Sequence, residues 1–126
     1  MANTLAFQLY SLKEFEGGWD AAFRAVKDMG IDTIEAWCGA VPDNAEATTS
    51  LGDMRASLAN AGMKLTCGHV TVAEFDNRYE QWRDLLLEFG SKTWVIPFAK
   101  GESLDEWLAM LPTFRTMHER LSGDGL

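Results

Sequence analysis

Apolar residues recur along the chain at helical spacing in three separate segments. Positions three, four and seven residues apart fall on one face of a helix, so each segment predicts an amphipathic helix with a buried stripe. We expect the aromatic residues on these stripes to be core residues rather than ligand contacts. The three stripes are Trp19, Ala22, Phe23, Val26 and Met29; then Phe75, Tyr79, Trp82, Leu86 and Phe89; then Leu104, Trp107, Leu108 and Leu111.

Short β-like runs lie between the helical segments, at positions 5–10, 33–37, 65–70 and 93–98. Strands that alternate with helices pair in parallel through right-handed crossovers. The sequence therefore predicts an α/β fold of four βα units. A glycine follows four helical segments, the three with apolar stripes and a fourth that begins after Ser50, and a left-handed residue there can end a helix; these glycines are Gly30, Gly62, Gly90 and Gly125.

Local signals also mark where the helices begin and where one is interrupted. A hydroxyl residue precedes an acid by three positions at Ser50 and Asp53, at Thr71 and Glu74, and at Ser103 and Glu106. This spacing is typical of a capping box, in which the two side chains satisfy the first backbone N–H groups. Pro112 is expected to kink or split the last helix near Leu111.

Composition places the chain among ordinary globular domains. It has 126 residues, 47% of them hydrophobic, and a net charge of −8, so we expect one domain over 1–126. The acidic balance argues against a nucleic-acid partner, and no apolar run approaches the roughly 20 residues of a membrane helix. With no visible signal peptide, and with two cysteines that form no disulfide framework, we expect a cytoplasmic protein.

Polar residues lie near the carboxyl ends of three predicted strands. Side chains alternate across a strand, and this alternation predicts that Gln8, Glu35 and His69 face away from the helices. It also places Leu65 and Cys67 on the same face as His69. In a (βα)n barrel the carboxyl ends form the active face. Each residue also has a structural alternative: a loop-bonding amide, a paired carboxylate and a satisfied core histidine.

Motifs for several other chemistries are absent from the sequence. It contains neither glycine-rich nucleotide-binding motif and no Gly-x-Ser-x-Gly element. Cysteine and histidine do not occur at zinc-site spacing. We therefore expect Cys38 and Cys67 to be small buried apolar residues and His118 to be a surface residue.

Four segments together resemble the xylose isomerase-like TIM-barrel family, the sugar phosphate isomerases and epimerases. The resemblance spans the chain, and it depends on the order and spacing of the segments more than on any single motif. The segments are Leu-Ala-Phe-Gln-Leu-Tyr-Ser-Leu at 5–12, Gly-Ile-Asp-Thr-Ile-Glu at 30–35, Ala-Gly-Met-Lys-Leu-Thr-Cys-Gly-His at 61–69 and Gly-Ser-Lys-Thr-Trp-Val-Ile-Pro at 90–97.

The resemblance implies a parallel (βα)4 half of a TIM (β/α)8 barrel. It implies that Gln8, Glu35, Trp37 and His69 contact a sugar or polyol. It also implies proton transfer next to a sugar carbonyl, supported by Mn²⁺ or Mg²⁺. In the family, the metal ligands are two Glu, one Asp and one His from the last four strands, so this chain contains no matching metal ligand and its catalytic residues remain unknown. It resembles the first half of such an enzyme.

A half-barrel leaves sheet edges and a concave apolar face uncovered, including Leu65, Val95 and Trp37. We therefore expect two copies to associate edge to edge. Whether the chain is an enzyme stays open at this point, because a non-catalytic half-barrel or polyol-binding module fits the same residues. An open, doubly wound flavodoxin-like sheet is a further alternative, and it would need helices on both faces.

Overall fold

The computed structural model describes residues 4–40 and 51–126, which form four strands and four helices in alternation. Short 3₁₀ turns follow β1 and β2, at Leu9–Leu12 and Cys38–Ala40. Among the helices of the described residues, none has the length and apolar character needed to cross a bilayer. The elements are β1 (Phe7–Gln8), α1 (Gly18–Asp28), β2 (Thr33–Trp37), α2 (Leu51–Ala61), β3 (Lys64–His69), α3 (Val72–Glu88), β4 (Trp94–Val95) and α4 (Leu104–Gly123).

The four strands form one parallel sheet in the order β1-β2-β3-β4. This order never reverses along the sheet, and right-handed crossovers then place successive helices on the same face. A doubly wound sheet requires a reversal of the strand order, so the flavodoxin-like alternative is excluded. The predicted α/β fold with sequential parallel strands is confirmed.

The two outer strands are shorter than the sequence predicts. In β1 the extended backbone ends at Gln8, where the 3₁₀ turn buries Leu9 and Leu12. In β4 it ends at Val95, two residues before Pro97, which has no N–H to donate to a neighbouring strand. The central strands β2 and β3 carry most of the pairing.

The main core lies between the sheet and the helices α1, α2 and α3. Two strand residues, Ile34 and Ala36, are fully buried there. The glycines that end α1, α2 and α3 all have positive φ, as expected for helix-ending residues. The helical side chains of this core include Ala22, Phe23, Val26, Met54, Leu58, Trp82, Leu85 and Leu86.

Two of the three predicted caps are present, but only their hydroxyl half forms. Thr71 accepts from the backbone N–H of Glu74, and Ser103 accepts from that of Glu106. The two acids bind other partners: Glu74 accepts from Arg78 and Trp82, and Glu106 accepts from the backbone N–H of Glu102. The cap predicted at Ser50 lies outside the described residues.

Helix α4 differs from its predicted packing. Its second half packs on α3 through Met117, which is 3% exposed and contacts the cluster of Phe75 and Tyr79. The helix continues through Pro112 as one element. Its first half has no such neighbour, so the predicted core stripe there is wrong for the described structure. The stripe is exposed by 72, 43, 50 and 52% at Leu104, Trp107, Leu108 and Leu111.

Candidate functional site

A β-bulge in β3 sets which side chains share a face of the sheet. Ile34 pairs with Leu65, but the next residue of β2, Glu35, pairs with Cys67, so Thr66 is the extra residue. Leu65 therefore shares the helix side with Ile34 and lies in the main core. The prediction that Leu65 faces the same way as Cys67 and His69 is wrong, because the bulge interrupts the alternation.

A buried serine holds the bulge in place. Ser91 is 1% exposed, and its hydroxyl donates to the carbonyl of Thr66 at 2.9 Å and accepts from the backbone N–H of Thr93 at 3.2 Å. Gly68, just beyond the bulge, faces the helices, where an added Cβ would lie 2.9 Å from a Leu86 methyl. After the bulge, Cys67 and His69 lie on the face opposite the helices.

Three predicted polar residues meet on that face. The Gln8 amide nitrogen lies 3.4 Å from His69 Nδ1, and His69 Nε2 lies 3.4 Å from a Glu35 carboxylate oxygen. The side chains of His69 and Glu35 are 18% and 35% exposed. These distances are long for hydrogen bonds, so the three groups touch without satisfying one another fully. Their predicted convergence is confirmed, and their role as sugar contacts stays a prediction.

Cys67 lies next to this group. One ligand atom from each of Glu35, Cys67 and His69 lies within 4.8 Å of the other two. The thiol is 8% exposed and accepts a hydrogen bond from the Thr66 hydroxyl at 3.8 Å. Burial raises the pKa of the Cys67 thiol above its usual value, so the free group is a neutral thiol at neutral pH.

Trp37 borders the group on the β2 side. It pairs with His69 in the sheet and is half-buried. The ring of Tyr10 contacts it edge to face at 4.9 Å between centroids, and the Lys13 ammonium lies over the Tyr10 ring. Trp37 therefore lies next to His69 in the sheet, with its ring packed on Tyr10 and on the main core. We name Gln8, Glu35, Trp37, Cys67 and His69 the carboxyl-end site.

Polar groups at the opposite ends of the strands are arranged differently. Asp32 accepts from the Lys64 ammonium at 3.0 Å and from the Thr33 hydroxyl at 2.8 Å. The Lys64 hydrogen bond, and then the Thr33 hydrogen bond, hold the pKa of Asp32 below its usual value. An open cleft borders this pair. We name Asp32 and Lys64 the amino-end pair.

The sequence did not identify Cys67 as part of a site. Alternation places Cys67 on the face of His69, but a buried cysteine is expected to be a small apolar residue, so it was not counted among the polar candidates. The sequence did contain one indication of a metal site. Glu35 lies near the carboxyl end of one strand, and Cys67 and His69 lie near the carboxyl end of the next, so three metal-binding residue types occur together. Zinc-motif spacing along the chain does not detect ligands that come from two strands.

Comparison with solved structures shows the same architecture in larger proteins. Two crystal structures of a sugar phosphate isomerase/epimerase from Parabacteroides distasonis ATCC 8503 superpose on the chain. One has a TM-score of 0.70 at 17% identity and covers 100% of this chain. The other has a TM-score of 0.67 at 18% identity and covers 98%. The chain matches no protein-family model and no curated protein.

The chain spans about half the length of these structures, 50% of one and 52% of the other. The likeness shows the fold, a four-unit portion of the architecture of sugar phosphate isomerase/epimerases, as the sequence resemblance predicted. At this level of identity it does not transfer activity or substrate.

The donor atoms at the carboxyl-end site do not suit the hard cation that the resemblance implies. Mn²⁺ and Mg²⁺ favour carboxylate, carbonyl and water oxygens in octahedral geometry. Within the described ranges 4–40 and 51–126, the clustered donors are one carboxylate, one imidazole and one thiol. A thiol is a soft ligand, so these donors do not match the oxygen-rich coordination of Mn²⁺ or Mg²⁺.

Proposed function

We propose that this chain is the sugar-binding half of a sugar isomerase/epimerase of the TIM-barrel type. The observation that carries the proposal is the meeting of Gln8, Glu35 and His69 at the carboxyl ends of three neighbouring parallel strands. In barrels of this architecture, ligands bind at that end. The superposition on two sugar phosphate isomerase/epimerases supports the choice of a sugar over other small molecules.

The proposed contacts follow from the chemistry of each side chain. The Glu35 carboxylate accepts hydrogen bonds from sugar hydroxyls, while the Gln8 amide and the His69 ring each donate and accept. The Trp37 indole offers a flat apolar surface to the C–H face of a sugar ring. Long contacts of 3.4 Å between these groups are replaced by shorter ones to the ligand, which favours binding.

A binding experiment tests this proposal. Saturation-transfer NMR with D-fructose, D-xylose and D-ribulose, and then with fructose 6-phosphate, identifies which sugars contact the protein. Glu35→Gln removes the charge that accepts sugar hydroxyls, and we expect affinity to fall about 10- to 100-fold, as for a lost charged hydrogen bond. Asp32→Asn makes the same chemical change at the amino-end pair and serves as the matched control, with affinity unchanged.

Catalysis and simple binding separate in a second measurement. An isomerase or epimerase that moves a proton next to the carbonyl incorporates deuterium at that carbon in D₂O, and ¹H NMR of the sugar detects it. Deuterium incorporation that requires the protein supports isomerase or epimerase activity. Binding without exchange supports a polyol-binding module instead. Absence of both binding and exchange across the panel contradicts the proposal.

We also propose that two copies of the chain associate. The outer strands β1 and β4 each have one unpaired edge within the described sheet, and α4 exposes an apolar stripe beside β4 in the chain. Unpaired parallel edges and apolar faces favour association. A second copy would supply four more strands, whose edges pair with β1 and β4, and four more helices, which together complete an eight-unit barrel.

Light scattering at low micromolar concentration tests association. We expect a dimer for the unmodified chain and a monomer for Leu108→Glu, which places a charge in the exposed stripe of α4. Leu87→Glu, at a 38% exposed position of α3, is the matched control and should remain dimeric. A monomer for the unmodified chain over the whole concentration range contradicts this proposal.

A further inference from the structure

Glu35, Cys67 and His69 combine three ligand types that transition metals bind, and they do so at one place on adjacent strands. We propose that these three side chains form a Zn²⁺ site, with Glu35 Oε, the Cys67 thiolate and a ring nitrogen of His69 as ligands. The inference rests on the donor atoms themselves and does not depend on sugar binding.

The existing spacing is close to that of a bound ion. In tetrahedral Zn²⁺ sites the metal lies about 2.0–2.3 Å from each ligand, so two ligand atoms lie about 3.3–3.7 Å apart. His69 Nε2 and Glu35 Oε2 are already 3.4 Å apart. One donor atom from each of the three residues lies within 4.8 Å of the other two, so side-chain movement of about 1 Å completes the geometry.

The ligand types favour zinc over harder cations. Thiolate and imidazole bind Zn²⁺ well, whereas Mg²⁺, Ca²⁺ and Mn²⁺ prefer oxygen. When the ion binds, a sulfur–metal bond forms and the Cys67 S–H bond breaks, with the proton released to the solvent.

Gln8 has a positioning role in this site. Its amide lies beside His69 Nδ1. A half-turn of the amide places its oxygen where Nδ1–H can donate to it, and this leaves the Nε2 lone pair free on the side of Glu35. A hydrogen bond to the second ring nitrogen commonly orients metal-binding histidines. Gln8 would therefore hold His69 in the tautomer and orientation that bind the metal.

The site is reachable from one side and leaves room for another ligand. Cys67 is nearly buried, whereas the side chains of His69 and Glu35 are 18% and 35% exposed, so an ion enters past these two groups. Three protein ligands leave the fourth position of a tetrahedral ion for water or a ligand oxygen, as in catalytic rather than structural zinc sites.

Metal titration of the reduced full chain tests the proposal. Isothermal titration with Zn²⁺ should give one ion per chain. Co²⁺, used as a coloured substitute for Zn²⁺, should show a thiolate-to-cobalt charge-transfer band that Cys67→Ser abolishes. Cys38→Ser, which changes the other buried free cysteine, is the matched control and should keep the band. Gln8→Ala should weaken Zn²⁺ binding about 10-fold through loss of the positioning contact.

The loss of metal binding in a variant counts only if that variant still folds. Circular dichroism of each variant shows whether it folds, and His69→Asn, at a partly exposed position, gives a second test that does not alter the buried thiol. The proposed site would be overturned if Zn²⁺ did not saturate the unmodified chain at concentrations up to about 1 mM. A Kd of 1 mM corresponds to about 4 kcal/mol of binding free energy. A cobalt band that persists in Cys67→Ser would also overturn the proposed site. Zinc binding without any sugar binding leaves this inference intact and contradicts only the proposed function.

Discussion

The two ends of the same sheet hold their polar groups in different ways. At the amino-end pair, Asp32 is bound at 3.0 Å by Lys64 and at 2.8 Å by Thr33, so its carboxylate has strong partners within the chain. At the carboxyl-end site, Glu35 and His69 approach only to 3.4 Å. One end satisfies its charges internally, and the other leaves donor and acceptor capacity for a ligand.

The difference lies in what each arrangement stabilises. A close, exposed ion pair at a strand start adds a modest contribution to the fold, and the hydrogen bonds of Asp32 to Lys64 and Thr33 leave less of its accepting capacity for a ligand. Clustered groups that touch only loosely contribute less to the fold, and their unused hydrogen-bonding and metal-binding capacity is available to a ligand. Substitutions at the two ends should therefore separate stability from binding.

The largest expected effect comes from Gly68→Ala, which changes the packing behind the carboxyl-end site. The new Cβ would lie 2.9 Å from a Leu86 methyl and 3.3 Å from a Val70 methyl, and overpacking of this kind lowers the free energy of unfolding by about 1–3 kcal/mol. Urea denaturation measures it. Gly123→Ala, where an added Cβ meets nothing within 4 Å, should leave stability unchanged or slightly raised. Equal effects of the two substitutions would show that the packing of Gly68 is not restrictive.

An effect of similar size is expected from Ser91→Ala. Removal of the hydroxyl leaves the Thr66 carbonyl and the Thr93 N–H without their partner, which costs about 1–3 kcal/mol for a buried group. Because the same hydroxyl holds the bulge, Zn²⁺ affinity should fall as well. Ser122→Ala, in the exposed end of α4, is the control and should change neither quantity. Unchanged metal affinity in Ser91→Ala would mean that the bulge does not need this hydrogen bond.

The smallest effect concerns acid stability at the amino-end pair. Because the Lys64 and Thr33 hydrogen bonds lower the pKa of Asp32 in the folded state, its contribution to stability is present above the unfolded pKa. That contribution is lost as the pH falls through the lower, folded value. The free energy of unfolding should fall between pH 5 and pH 2 by more in the unmodified chain than in Asp32→Asn. Identical pH dependence in the two proteins contradicts this assignment.

The helical stripes and β-like runs predicted the order of elements because each pattern reports burial along one face. Strand lengths at the sheet edges were overestimated, since the turn at Leu9 depends on the burial of Leu9 and Leu12 in the fold, and the local effect of Pro97 on strand pairing was not taken into account. The stripe of α4 from Leu104 to Leu111 was assigned to the core because apolar spacing indicates which face is apolar and does not indicate what covers it.

The convergence of Gln8, Glu35 and His69 was predicted correctly. Side-chain alternation can be seen in the local sequence, and the carboxyl ends of parallel strands lie at the same edge of the sheet. Cys67 was predicted on the face of His69, but it was interpreted as a small buried apolar residue, so the sequence did not mark it as a ligand. Leu65 was placed on the wrong face because the bulge at Thr66 reverses the side-chain direction of the residues before it relative to those after it, and no residue pattern in β3 marks where the bulge falls.

The central claim is that Gln8, Glu35, Trp37 and His69 act as one binding site at the carboxyl ends of the strands. Titration of the ¹⁵N-labelled chain with D-fructose and fructose 6-phosphate, followed by ¹H–¹⁵N NMR, tests it most directly. We predict shifts of the Trp37 indole N–H and of the backbone amides of Gln8, Glu35 and His69, with Asp32 and Lys64 unchanged. Shifts confined to Asp32 and Lys64, or no shift at any of these groups, would contradict the account.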